Sequence, residues 1–331
     1  MRLSSNGFTI TNAQNHTVGT GLYLGAIAAN HSCSPNAHAS FEGTTLRLRA
    51  IRPIASGEEI SIGYCDVARP RRARQADLLK GYGFLCLCAR CASPGEDARE
   101  RGRGTLVEED GLACPVDGCG GVLADGGYEA ALYRAWRVTE GGAELPKVQH
   151  EPRARACGAC GATVEAKAVT ELVADLSLAE GLYERAQGKA GKDRDPAAAR
   201  PLMEAADTQY RRVLPSVSAR VLEVSGHLLQ IYTDAGEWPK ARACLLATAV
   251  EAVQVGLHPP GSPAPAFDLA LLGQVEMQLE KGRGEMAGAA VGHLGEALRL
   301  LEVAQGEGSP LVAGLRGWRA QAAMMARAIE R

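Results

Sequence analysis

Asn30-His31-Ser32-Cys33-Ser34-Pro35-Asn36 and, about fifty residues on, Tyr82-Gly83-Phe84-Leu85-Cys86-Leu87-Cys88-Ala89-Arg90-Cys91 are the stretches on which the reading of this chain turns. Between them runs Gly57-Glu58-Glu59-Ile60-Ser61-Ile62-Gly63-Tyr64, a glycine turn leading into a strand that ends in tyrosine. Zinc in structural sites takes four tetrahedral ligands and favours thiolates. The tight trio Cys86, Cys88 and Cys91 supplies three, and Cys33 supplies the fourth. With every position filled by sulfur, such a metal holds structure and leaves no place for a reacting water. Buried free thiols or disulfides are the alternative, which three cysteines within six residues disfavour.

A second set follows. Cys114-x4-Cys119 and Cys157-x-x-Cys160 are two pairs, each followed at once by glycine. Paired cysteines a few tens of residues apart are the mark of a ribbon-type zinc site, and the glycines allow the tight turns that aim backbone amides at sulfur. Cys65 and Cys244 belong to neither set and read as core or surface thiols.

The wording of the first region resembles the SET lysine methyltransferase domain with its post-SET cysteines, and is nearest to the SET and MYND domain-containing family. Gly7-Phe8-Thr9-Ile10 and Val18-Gly19-Thr20-Gly21-Leu22-Tyr23 are similar to that family's approach to its Asn-His-Ser-Cys motif, so the resemblance covers residues 6 to 91. It implies a methyltransferase that uses S-adenosylmethionine on a protein lysine, histone or non-histone. It implies that Asn30 and His31 contact the cofactor, that Tyr64 is the catalytic residue beside the transferred methyl, that Phe84 covers the adenine and that Tyr82 walls the lysine channel. It implies further that Asn30–Asn36 passes beneath Glu58–Tyr64 in a knot-like crossing. Glu58 and Glu59 read as hydrogen-bonding and solvating groups, with no general-base role. Neither the glycine-rich segment that opens a SET domain nor a MYND cysteine cluster is found before Asn30. The expectation is either an N-terminally incomplete product or a degenerate relative that kept the zinc lobe and helical domain.

From about Val169 the pattern becomes helical. Leu172, Leu176, Ala179 and Tyr183 keep one face, as do Val217, Val221, Val224, Leu228 and Ile231. Gly236-Glu237-Trp238-Pro239 and His258-Pro259-Pro260-Gly261 break the chain around a helix over Lys240–Val255, and another helix is expected over Phe267–Leu279. Stacked antiparallel helices follow, and the resemblance makes them tetratricopeptide-like; it rests there on Glu237-Trp238-x-x-Ala241, Gly256-x-His258-Pro259 and Gly306. Upstream, Thr44–Ile51 alternates as a strand, Ile60, Ile62 and Tyr64 are expected on one strand face, and Arg71–Leu79 reads as a short helix.

The expected fold class is α+β: a small β-rich SET-type domain with a post-SET zinc cluster (1–92), a linker from Ser93-Pro94-Gly95 and a zinc-ribbon-like insert (93–168), and an all-α stacked-helix domain (169–331). Lys and Arg total 36 against 38 Asp and Glu, so no global field attracts nucleic acid or anionic membrane, and Arg69-Pro70-Arg71-Arg72-Ala73-Arg74 reads as a solvated basic stretch. No run approaches the ~20 apolar residues needed to span a bilayer. Clustered cysteines suit a reducing compartment, hence an intracellular protein of nucleus or cytoplasm. The leading function is lysine N-methylation with two structural zinc sites. The alternative is a non-catalytic, zinc-stabilised module whose helical domain binds a partner peptide.

Overall fold

A computed structural model describes residues 6–12, 17–69, 71–92, 111–123, 153–191, 195–216, 218–254, 257–280 and 285–329. The expected linker beginning at Ser93-Pro94-Gly95 lies outside these residues, as do Pro70, Val217 and Gly256. The fold class is α+β, and the chain divides into two compact units. One is Met1–Ala68, Asp77–Ala92 and Ala235–Arg331; the other is Arg69–Ala76 and Ser93–Asp234.

The first unit opens with short strand pairs. Strands β1 (Gly7–Thr11) and β2 (Thr17–Leu22) are antiparallel, and β3 (Asn30–His31) lies parallel to β6 (Ser61–Ile62). Strands β4 (Ala37–Glu42) and β5 (Thr45–Ala50) form a hairpin whose tip uses Gly43 at φ 60°, a backbone setting that glycine adopts without penalty. Helix α1 (Arg71–Tyr82), of which only the part from Asp77 belongs to this unit, extends past the expected Leu79 and leads to the four-residue turn α2 (Ala89–Ala92). Ile60 and Ile62 do not share a face: Ile60 is 48% exposed and Ile62 only 5%. The ladder there is two residues long, and Glu59 is held by a side chain instead of a strand partner, so strict alternation is not imposed.

The helices of this unit begin at α6 (Trp238–Leu245), which bends through a π-helical turn (Leu246–Glu251) into a last turn (Ala252–Gln254). Then come α7 (Ala264–Leu279), α8 (Glu285–Gln305) and α9 (Pro310–Ile329). On α8, Ala287, Ala290, Leu294, Ala297, Leu301 and Ala304 recur at three- and four-residue steps, and each is fully buried. Small residues let α7 come close. A Cβ on Gly273 would stand 2.5 Å from Leu294. Within this core, the fully buried Glu276 accepts from Arg242 at 3.0 Å and meets His293 Nδ1 at 2.8 Å. Removing one partner of such a buried pair costs about 3–5 kcal/mol.

The second unit carries hairpin β7 (Leu112–Ala113) with β8 (Val122–Leu123), and hairpin β9 (Arg155–Ala156) with β10 (Thr163–Val164). A bridge between Leu123 and Cys157 joins them. Among the described residues, three helices follow in this unit: α3 (Ala166–Gly191), α4 (Pro196–Val213) and α5 (Ala219–Asp234). Leu176, Ala179 and Tyr183 are buried on α3 as their spacing predicts, as are Val221, Val224 and Leu228 on α5. Asp195 caps α4 by accepting from the Ala198 amide at 3.0 Å, and Pro196 sits where a missing N–H costs nothing.

The turn before α7 sets a sharp steric demand. Gly261 has φ 78°, and a Cβ there would come within 2.0 Å of the Ile51 carbonyl oxygen. Gly261→Ala is expected to cost at least about 2 kcal/mol in denaturant unfolding. Gly181→Ala, on an open face of α3, is expected to stabilise by roughly 0.5–1 kcal/mol. Equal effects at the two positions would contradict this packing.

Candidate functional site

Asn36 organises the site. It is 1% exposed, its amide nitrogen donates to the Glu59 carbonyl at 2.8 Å and to Glu58 Oε1 at 3.0 Å, and its Oδ1 accepts from the Ser61 amide at 2.9 Å. One side chain therefore satisfies the backbone of the segment that leads into Tyr64. The neighbouring Pro35 fixes φ just before it. The parallel ladder Asn30–Ser61 and His31–Ile62 continues the join, with Ser32 N–H donating to the Ile62 carbonyl at 3.0 Å. Glu58 accepts from the Ala55 amide, from Asn36 and from Arg52, which together hold its carboxyl at about 2, below the usual 4.5. Glu59 Oε1 accepts from Asn30 Nδ2 at 2.6 Å. Both glutamates are thus hydrogen-bonding groups.

His31 links this scaffold to Tyr64. Its Nδ1 accepts from the Tyr64 amide at 2.9 Å, which leaves the proton on Nε2, 3.3 Å from Cys33 Sγ. Both ring nitrogens are engaged, so a cofactor would meet the main chain or ring face of His31. The ring stands 5.4 Å from that of Tyr64 and 6.2 Å from that of Phe84, while Tyr64 and Tyr82 lie 4.7 Å apart. The Tyr64 hydroxyl donates to the Ala29 carbonyl at 2.7 Å. Burial, then Tyr82 and Glu59, raise its pKa, so the phenol stays neutral. All four aromatic positions expected from the sequence stand together. Phe8 joins Tyr64 over Ala29, Ala37 and Ile62. No role for Phe8 was legible beyond its place in strand β1.

The sulfurs of Cys33, Cys86, Cys88 and Cys91 all lie within 4.8 Å of one another. Hydrogen bonding to Cys86, then to Cys88 and Cys91, pushes the Cys33 thiol up, while Cys33 and Cys86 draw Cys91 down to about 6. Four thiolates this close would repel, and a dication at their centre would let them coexist. The donor set fits a metal. Cys88 N–H points at Cys86 Sγ at 3.4 Å, as expected of a knuckle.

Within the second unit, Cys114, Cys119, Cys157 and Cys160 also gather within 4.8 Å. Ala159 N–H approaches Cys157 Sγ at 3.4 Å, and the Cys114 amide donates to the Gly121 carbonyl at 2.8 Å. Gly118, Gly120 and Gly161 all have positive φ. Gly121 is needed for another reason: a Cβ there would sit 2.6 Å from Ala159 Cβ and 2.7 Å from Cys157 Sγ. The looser four-residue spacing of the first pair is absorbed by these glycines. Either cluster could hold a metal ion.

The SET domain profile matches residues 6–65, the stretch that contains Asn36, the parallel ladder and Tyr64. This part of the chain belongs to the SET domain family. Histone-lysine N-methyltransferase SMYD3 of Mus musculus and of Homo sapiens are each 44% identical over 93 residues, 28% of this chain and 22% of those proteins. N-lysine methyltransferase SMYD2 of Homo sapiens is 32% identical over 96 residues, 29% of this chain and 22% of that protein. The chain thus spans only 22% of the length of these curated relatives. They support the narrower resemblance to the SET and MYND domain-containing family. No described helix is long and apolar enough to cross a membrane.

Two measurements test this geometry. Elemental analysis is expected to find about two metal ions per chain, and about one in both Cys88→Ser and Gly121→Ala; a Gly121→Ala variant that keeps both would refute the steric argument. Glu58 titrates at about 2 when folded and near 4.5 otherwise, so its contribution is full above pH 4.5 and is lost as pH falls towards 2. Glu58→Gln should therefore be less stable than wild type at pH 7, with the gap narrowing between pH 4.5 and pH 3 in urea titrations.

Proposed function

We propose that the chain contributes to an S-adenosylmethionine-dependent protein-lysine N-methyltransferase of SET type, with zinc in both cysteine clusters. All-thiolate tetrahedral sets select zinc over harder dications, and neither cluster leaves a position open for catalysis. Both zincs are structural in this reading. The proposed organisation is a SET and post-SET region over 1–92, a ribbon insert over 93–168 and a tetratricopeptide-like region over 169–331.

The observation that carries the reading is the fixing of Tyr64 from both ends: its amide on His31 and its hydroxyl on the Ala29 carbonyl. The cofactor supplies an electrophilic sulfonium methyl. This chain's residues would hold and orient what approaches it. With its own proton committed to Ala29, the Tyr64 oxygen keeps lone pairs free to accept from a lysine amine. A lysine amine has a pKa near ~10.4 in water and must arrive neutral; a half-buried aromatic pocket favours that form by desolvation. Tyr82 would form one wall of the lysine channel, Phe84 would cover the adenine, and Asn30 with the main chain of His31 would contact the cofactor. Holding two reactants in line is worth up to ~7–11 kcal/mol, so positioning is the main contribution asked of these residues.

Transfer of labelled methyl groups from S-adenosylmethionine to lysine peptides tests the proposal. Tyr64→Phe is expected to lower the rate on the order of 10²-fold, the scale of one lost active-site hydrogen bond, while sparing cofactor affinity. An unchanged rate would remove Tyr64 from the catalytic role.

A further inference from the structure

Arg90 lies between two cysteines of the first cluster, on the short turn α2, and its guanidinium reaches three separate stretches of chain. Nη1 donates to the carbonyl of Cys33 at 3.0 Å and to that of Val67 at 2.6 Å, and Nη2 donates to the carbonyl of Leu257 at 3.0 Å. Cys33 is the early ligand of the cluster. Val67 follows the Tyr64 segment. Leu257 stands just before His258-Pro259-Pro260-Gly261.

These acceptors are held in place. Leu257 is 2% exposed and its own amide bonds to the Ala252 carbonyl at 2.9 Å, so its oxygen has little freedom to turn towards water. A buried carbonyl that loses its donor bears the full desolvation cost. Only a planar fork serves acceptors lying in different directions; an ammonium of similar length is a single point charge. Arg90 also places a positive charge beside a cluster that four thiolates and a dication leave net negative.

The turn that aims Arg90 has no stability of its own. It is four residues long, with the Cys91 amide on the Cys88 carbonyl at 2.7 Å, and an isolated turn of that size does not form in water. An ion bound by both Cys88 and Cys91 would hold it closed. Beyond Leu257, Gly261 lies close against the Ile51 carbonyl, next to the end of β5, and Ser262 N–H donates to the Pro259 carbonyl. We propose that Arg90 is a positioning residue that relays metal occupancy of the Cys33, Cys86, Cys88 and Cys91 cluster to the Val67 segment and the Leu257–Ser262 turn. The inference rests on the metal reading of that cluster.

Hydrogen–deuterium exchange on the full chain, with metal content measured on the same samples, tests the relay. Stripping metal from the wild type is expected to raise exchange over residues 257–267 on the order of tenfold, the scale of one lost bond to a charged group. Arg90→Gln should do the same with metal still bound, and Arg90→Lys should fall between. Cys160→Ser, which empties only the second cluster, should leave these residues protected. Should Arg90→Gln fail to retain metal, Arg90→Lys decides, since it keeps the charge and loses the fork. Retained metal with wild-type protection in the deciding variant would overturn the relay alone. A first cluster that takes up no metal in the wild type would overturn the metal reading and the relay together.

Discussion

The pairing of Asn30–His31 with Ser61–Ile62 is the constraint on which the first unit depends. Two residues of parallel ladder are too few to hold two distant segments, and parallel pairing has little local support. Asn36 supplies what the ladder lacks, because two of its bonds replace backbone partners that Glu59 and Ser61 would otherwise need, and its third goes to the Glu58 carboxylate. His31 extends the same join through its ring to the Tyr64 amide and towards Cys33. Every feature read as functional in this unit hangs from that junction. Loss of Asn36 would release the Tyr64 segment without touching Tyr64 itself.

The two cysteine clusters, each of which could hold a metal ion, meet a related problem. In the first, one early and three late cysteines join segments more than fifty residues apart. In the second, two hairpins of two-residue strands, each too short to persist alone, meet through four sulfurs and one backbone bridge. Small β elements without a large apolar core need such staples. The helices of both units need none: their alanine- and leucine-lined faces bury enough apolar surface, at ~25 cal/mol per Å², to hold them.

Cysteine spacing was the most legible part of the sequence, because metal coordination fixes distances that spacing alone can encode. Helix existence was legible from apolar periodicity at Leu176, Ala179 and Tyr183, and the break at Pro259-Pro260-Gly261 from backbone chemistry. Other features were not. Strand alternation placed Ile60 beside Ile62, yet side-chain bonds from Asn36 override alternation there. Asn36 itself reads as a turn residue until its partners, more than twenty positions away, are known. The engagement of both His31 nitrogens, the packing of Phe8 and Tyr64 over Ala29, Ala37 and Ile62, and the three-way reach of Arg90 depend on long-range contacts that no local pattern carries. Glu276 looks like any helical glutamate, and only tertiary packing buries it between Arg242 and His293.

The central claim is that Asn30, His31, Tyr64 and Phe84 form part of a cofactor site. Isothermal titration of S-adenosylmethionine into metal-loaded protein tests it most directly. The account predicts saturable heat below millimolar ligand that is competed away by S-adenosylhomocysteine. Absence of heat up to millimolar cofactor, with both metals retained, would contradict it.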